Sequence, residues 1–351
     1  MPVLIEGSGC RDWGAGDAGE SPKEKDLPST QVGFVVEPVP PFRLDLTAWL
    51  LRRRPNNALD LWDTGTYRRL IVTRDGLIEL SVRQRGPAEA PRLDIEARGE
   101  GAKADLRRAA KSVVERLLGI GIDLSDFYRV AAEDPLLARL VERFRGAKPS
   151  RYPTVFEALT NGICCQQITL TLGLSILNRL AESFGPVVNA EGICLAALPT
   201  ASTVAGLDPD ALRRVGFSRQ KAESLIAAGR AVTAGELDLE KLAVLDNDSA
   251  GERLRGLRGV GRWTSDYVLL RGLGRTEIFP RGDAGGRNGL QRWLGSADKL
   301  DEASVRGVVA RWQPYGGLVY FHLLLAGAVE KGWLSVGTEA DGVSDAYLAE
   351  R

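Results

Sequence analysis

The sequence holds one histidine, His322, and four cysteines, Cys10, Cys164, Cys165 and Cys194, in 351 residues. With no Cys-x-x-Cys spacing and no second histidine, neither a zinc site nor an iron–sulfur cluster has its ligands. Four irregularly spaced cysteines make no disulfide framework either. Cys164 and Cys165 read as lying on or beside a buried helix. No apolar run approaches the roughly 20 residues needed to cross a bilayer. The N-terminus lacks the basic, apolar and small-residue order of a secretory signal. A cytoplasmic protein with no membrane partner is the expectation. Net charge is zero, so no overall field favours or disfavours nucleic acid. His322, without a partner at ligand spacing, reads as a packed or hydrogen-bonded helix residue rather than a catalyst.

What is present is ordinary in amount and uneven in placement. A composition of 44% hydrophobic and 26% charged residues suits globular domains, and the length suits two or three of them. Residues 1–30 carry three bases and six acids amid Gly, Ser and Pro, which reads as a disordered acidic tail. Trp13 there has no evident role. The window 253–292 carries nine arginines against three acids, a balance of +6. That local excess is what a phosphate-facing surface requires, although a solvated Arg-rich helix face has the same composition.

From residue 31 the pattern alternates as short strands do. Runs at Val32–Val36, Ala58–Trp62, Tyr67–Thr73, Leu77–Arg83 and Arg92–Ala97 read as strands, with Asp75-Gly76 as a hairpin turn between two of them. Helices near Leu44–Arg53 and Ala102–Leu118 complete an α+β domain over 31–145. After Pro149 the period becomes helical. Nine segments between Val155 and Lys331 repeat apolar residues three and four apart, with short Gly/Pro breaks. The expected second domain is therefore all-α over 149–335, with a C-terminal tail at 336–351. A glycine turn at Arg214–Phe217 faintly echoes the main motif described next.

That motif is Leu257-Arg258-Gly259-Val260-Gly261-Arg262-Trp263-Thr264, followed after twenty residues by the loop Phe279-Pro280-Arg281-Gly282-Asp283. Glycines at 259 and 261 permit positive φ and leave no Cβ between backbone and ligand. A turn of this kind at a helix N-terminus aims free N–H groups outward, where the helix dipole also favours an anion. Such a hairpin holds a DNA phosphate without reading sequence. A plain helix–turn–helix connection with glycine caps is the alternative. Asp283 is either the N-cap of a helix starting near Gly285 or a catalytic carboxylate presented by the loop. The hairpin, the fixed spacing and the arginines favour the second.

Together, Gly259–Thr264 and the Asp283 loop resemble the helix–hairpin–helix (HhH-GPD) DNA glycosylase superfamily, most of all the DNA-3-methyladenine glycosylase II group of the bacterial alkylation-repair branch. The resemblance extends to Phe156–Leu159 through Cys165-Gln166-Gln167-Ile168-Thr169, to Trp312–Tyr315 and Tyr320–Leu323, and to the α+β unit, covering roughly 31–335. It implies an α+β N-terminal domain followed by an all-α helix–hairpin–helix glycosylase domain. It further implies a monomer that binds double-stranded DNA near the nucleoid, flips out an alkylated base of the 3-methyladenine type and hydrolyses its N-glycosidic bond. Asp283 would face the cationic sugar.

Family members that also nick the strand carry lysine where this chain has Trp263. The resemblance therefore implies base removal that leaves an intact abasic site. Trp263 and Tyr267, one turn apart, would stack on the base, with core packing as the alternative. Gly259, Val260, Gly261, Arg262, Thr264 and Arg287 would contact DNA. Gln166 and Gln167 sit where the family inserts a wedge, unless they merely cap a helix. Leu324 stands where the family has a stacking tryptophan, and Gly316 where an arginine is common. Both bear on substrate range. Trp49 is a candidate replacement aromatic or a core residue. No cofactor is required, and a K+ or Na+ ion on the carbonyls of Leu257 and Gly259 is implied by resemblance only. The rival reading is a catalytically inactive DNA-binding module acting as a repair scaffold.

Overall fold

The computed structural model describes residues 30–336. The acidic tail, Trp13, Cys10 and the C-terminal tail beyond Val336 lie outside the described residues. Five antiparallel strands, β1 (Thr30–Val36), β2 (Leu61–Asp63), β3 (Thr66–Thr73), β4 (Gly76–Arg85) and β5 (Arg92–Gly99), form one sheet in the order β1-β5-β4-β3-β2. Thr73 pairs with Gly76, so the β3–β4 turn is Arg74-Asp75, one residue earlier than the Asp75-Gly76 signal suggests. Helix α1 (Leu44–Arg52) leaves the sheet between β1 and β2, and α2 (Lys103–Leu118) returns across one face. Its Leu106, Ala110, Val114 and Leu117 repeat every three or four residues. They pack on Phe34, Leu80, Val82 and Ile95 from alternate strand positions.

Two short helices follow that the strand-and-helix reading of the sequence missed, α3 (Ser125–Ala132) and α4 (Pro135–Arg143). Asp134 caps α4 with Pro135 at its first position. With α2 already covering the sheet, their apolar faces turn the other way. Phe127, Leu137, Leu140 and Phe144 join the core made by the last helices of the chain. The expected domain boundary at 145 therefore does not separate two cores. Phe127 lies 5.6 Å from the ring of Tyr315 and 5.3 Å from that of His322, and the Trp312 indole donates to Asp134 Oδ2 at 3.0 Å.

The first helical cluster holds α5 (Val155–Cys165), α6 (Leu170–Phe184), α7 (Ala201–Ala205), α8 (Pro209–Arg214), α9 (Arg219–Thr233), a 3-10 turn at Glu240–Val244, α10 (Asn247–Arg255) and α11 (Arg262–Val268). The second joins α1, α3 and α4 to α12 (Ala284–Leu294), α13 (Glu302–Ala310) and α14 (Gly316–Glu330). This half is not wholly helical. A hairpin of β6 (Val187–Ala190) and β7 (Ile193–Ala196) interrupts it, because Val188 and Leu195 find a partner in Leu70 and Leu77 on the sheet. Between the clusters α11 runs on as a π-helical turn over Leu269–Leu273, with Leu269 in one core and Leu270 in the other. Turns of this kind recur at functional sites.

Buried cations tie the parts together. Arg69 on β3 engages both Asp60 and Glu157 of α5, and Tyr67 donates to Asp60 at 2.7 Å. Arg271 donates to Leu50 O at 2.6 Å and Ser150 Oγ at 3.2 Å. Its placement corrects the charge reading, as does that of Arg275, whose guanidinium donates to the carbonyls of Ala243 and Leu245. These two arginines of the basic window are structural, whereas Arg253, Arg255, Arg258 and Arg262 are exposed.

Candidate active site

The hairpin between α10 and α11 closes with Val260 N–H on Leu257 O at 3.1 Å, and Val260 is buried. Gly259 has φ +79°, and a Cβ there would lie 2.2 Å from Ser224 Oγ, so only glycine fits. Gly261 differs from expectation. Its φ of −89° is open to any residue, and its role is the empty space around it. No side chain caps α11, so its leading amides lack a side-chain acceptor, and the dipole there favours an anion.

Gln166 does not reach for a ligand. Its Nε2 donates to Gly259 O at 2.9 Å and to the buried Thr264 Oγ1 at 2.7 Å, fastening the end of α5 to the hairpin. Thr264 likewise serves the hairpin from within rather than a strand outside. From the opposite side Lys221 Nζ donates to Cys164 O at 2.8 Å and Gln166 O at 2.6 Å, a cation at a helix C-terminus. Gln167, between these anchors, is exposed and left-handed at φ +55°. Such a conformation costs a non-glycine residue about 1–3 kcal/mol.

Asp283 is both cap and presented acid. Its Oδ1 accepts from Gly286 N–H at 2.6 Å, capping α12, while Oδ2 accepts from the Trp263 indole N–H at 3.0 Å. Gly282 lets the loop lie against Trp263, and Gly286 lets α12 lie against Tyr320, where any Cβ would come within 2.6 Å of the ring. Burial raises the Asp283 carboxyl above its usual range, opposed by the Gly286 and Trp263 hydrogen bonds and by nearby Arg287. Arg287 N–H also donates to Asp283 O at 2.9 Å.

Trp263 is half-buried and stacks on Tyr267 with centroids 5.6 Å apart at 31°. Tyr267 is 7% exposed, and its hydroxyl meets Tyr152 Oη at 2.7 Å and Arg53 Nη1 at 3.2 Å. Leu324 sits half-buried at the edge of the second cluster. Gly316 is enclosed, since a Cβ would meet Val309 at 2.8 Å and Glu277 O at 3.1 Å, which leaves no room for an arginine. Trp49, only 4% exposed, is core and not a pocket wall. His322 is buried, donates from Nδ1 to Leu318 O at 2.8 Å, and is held neutral by burial, its pKa pushed down to about 4. Arg53, Tyr152, Asn161, Lys221 and Tyr320 had no assigned role from sequence. Each is a single polar or aromatic residue brought in by a distant element.

Residues 160–314 match the sequence model of the HhH-GPD superfamily of base excision DNA repair proteins. A DNA-3-methyladenine glycosylase of Bacillus subtilis is 30% identical over 201 residues, 57% of this chain and 66% of that protein. A putative DNA-3-methyladenine glycosylase of the same organism is 27% identical over 296 residues, 84% of this chain and 98% of its own length. In overall fold the chain is similar to the solved 3-methyladenine DNA-glycosylase of Archaeoglobus fulgidus, with a TM-score of 0.74 at 24% identity, covering 84% of this chain and 98% of that one.

Proposed function

Because the helical part of the chain, matched over residues 160–314, belongs to the HhH-GPD superfamily of base excision DNA repair proteins, we propose that it is a monofunctional DNA glycosylase. It flips an alkylated base of the 3-methyladenine type out of duplex DNA and hydrolyses the N-glycosidic bond. The observation that carries this reading is the carboxylate of Asp283, fixed at the seam of the two helical clusters by Gly286 N–H and the Trp263 indole N–H.

In the reaction the C1′–N bond breaks and its electron pair leaves with the base. Positive charge develops on the sugar, next to the ionised Asp283. Water then adds at C1′ and loses its proton, giving an abasic site and a free base. A preorganised carboxylate in a partly dry site is worth about 10²–10³ or more in rate. Trp263 offers the stacking face, with Tyr267 behind it. It also stands where strand-nicking relatives use a lysine amine, so no Schiff base forms at this position. The amides of Gly259 and Gly261 and the exposed Arg262 hold the phosphates, while Arg258 donates to Glu223 at 2.9 Å. Gln167 fills the gap the base leaves. A K+ or Na+ ion fits the hairpin carbonyls, since Leu257 O and Gly259 O each accept one hydrogen bond and keep a second lone pair.

The test is a panel of duplexes carrying single lesions, followed by alkaline cleavage of abasic sites. Release of 3-methyladenine, 7-methylguanine, hypoxanthine or ethenoadenine is expected, with no borohydride-trapped covalent adduct. Release of none of the four leaves the inactive-scaffold reading, which Leu324 and Gly316 favour. A trapped adduct overturns the monofunctional assignment alone.

A further inference from the structure

Gln167 holds a conformation that glycine normally supplies. It stands exposed at φ +55° between the end of α5 and the start of α6. A left-handed residue other than glycine persists only where its neighbours fix it. On the far side Thr169 caps α6, its Oγ1 accepting from Leu172 N–H at 3.3 Å and its carbonyl from Gly173 N–H at 3.0 Å. On the near side the last carbonyls of α5 have no further helical turn to donate to them. The ammonium of Lys221 takes two carbonyls there, Cys164 O at 2.8 Å and Gln166 O at 2.6 Å.

Lys221 stands in an unfavourable place to do so. It is the third residue of α9, where its own N–H donates to the capping Ser218 Oγ at 3.3 Å. The α9 dipole disfavours a cation in that turn, and burial pulls the pKa of the ammonium down. The carbonyls at the negative end of α5 offset both. Gln166 O decides what the contact controls. It belongs to the planar peptide whose nitrogen is that of Gln167, so the tilt of this plane directs the side chain that follows it. The Gln166 side chain is meanwhile tied to Gly259 O and Thr264 Oγ1.

We infer that Lys221 is a positioning residue for base flipping: by holding the Gln166–Gln167 peptide, it aims the Gln167 side chain into the gap that the flipped base leaves. This rests on the wedge reading of Gln167. The lysine acts through Gln167 and leaves the phosphates to the hairpin amides and Arg262.

The experiment compares affinity for a duplex holding one tetrahydrofuran abasic analogue with affinity for the same duplex undamaged. The proteins are the wild type, Lys221→Met, Gln167→Gly and the double variant. The wild type should prefer the abasic duplex. K221M and Q167G should each cut that preference about tenfold, with the double variant no worse than either alone. Lys221→Arg, which keeps donors for both carbonyls, should restore part of it. Both affinities come from one preparation, so loss of folded protein cancels in the ratio. If K221M does not fold, Lys221→Gln, with a neutral amide donor, should show the same loss in smaller measure. An unchanged preference overturns the inference, and a salt dependence shallower by about one ion would then mark Lys221 as a phosphate contact. Losses that add in the double variant overturn it as well, since Lys221 would act apart from Gln167. A Q167G variant that keeps the wild-type preference removes the wedge itself and this inference with it, as does a wild type that shows no preference.

Discussion

Asp283 performs two jobs that a single pair of substitutions separates. Asparagine caps helices about as well as aspartate, so Asp283→Asn keeps an oxygen on Gly286 N–H. It loses the charge, and its amide places a donor against the Trp263 indole N–H, removing a bond worth about 0.5–1.5 kcal/mol. Against that loss stands relief from ionising a carboxyl that burial already disfavours. The two roughly offset, and D283N should unfold in urea within about 1 kcal/mol of the wild type. Asp283→Ala loses the cap as well, a further 0.5–2 kcal/mol or so. Activity should ignore this ordering. Both variants should lose about 10²–10³ or more in single-turnover base release, while binding to a duplex with an abasic analogue stays near wild type. If D283N keeps more than about a tenth of the rate while D283A is inactive, the side chain is a cap and the catalytic assignment is wrong.

The pH profile should carry the mark of burial. The active form of Asp283 is the anion and its pKa is raised, so release should climb along an acid limb displaced upward from that of an exposed aspartate. For stability the sign is opposite: the folded state holds this proton more tightly than the unfolded chain. Its stabilising contribution is complete below the unfolded pKa and is lost as pH rises through the folded one. Asp266, raised by burial to about 6 against Arg281, Arg262 and Arg255, is the rival source of the limb. If Asp266→Asn abolishes the limb, the assignment to Asp283 fails. Arg69→Met strands the buried Asp60 and the part-buried Glu157, and should cost about 3–5 kcal/mol in urea melts, with a loss below about 1 kcal/mol excluding the tie described. Gln167→Gly relieves the left-handed strain and should unfold no more easily than the wild type. Its release from duplex lesions should nevertheless drop about tenfold if the side chain fills the gap, and wild-type release would remove the wedge from the mechanism.

Features that depend on local chain chemistry were legible in the sequence. α6 and α9 run over the residues their apolar spacing marks, Leu170–Phe184 and Arg219–Thr233. Gly259 and the Asp283 loop likewise signal their own geometry. What the sequence hid depends on partners far along the chain. Nothing beside Gln166 says that its amide turns inward to Gly259 O, 93 residues away. Arg53 is legible only as the end of the helix read over Leu44–Arg53, and nothing beside it announces Tyr267, 214 residues on. Trp49 looks equally able to line a pocket or fill a core, and only the arrival of α3, α4 and α14 around it decides for the core. α3 and α4 escaped because eight- and nine-residue helices carry barely two turns of periodicity.

The second helical cluster also sets an order in which parts of the fold can be completed. It joins Leu46 and Trp49 of α1 to Leu318, Val319 and Leu325 of α14, the last described helix, and the bond from Trp312 to Asp134 spans 178 positions. The hairpin and Asp283 precede α14 in the chain, and α14 supplies the Tyr320 wall against α12. Until that last helix docks, α1, α3 and α4 lack most of their apolar partners, and the nascent chain exposes surface that invites misassembly. A chain cut before α14 therefore carries Asp283 and the hairpin without the Tyr320 wall that packs against α12.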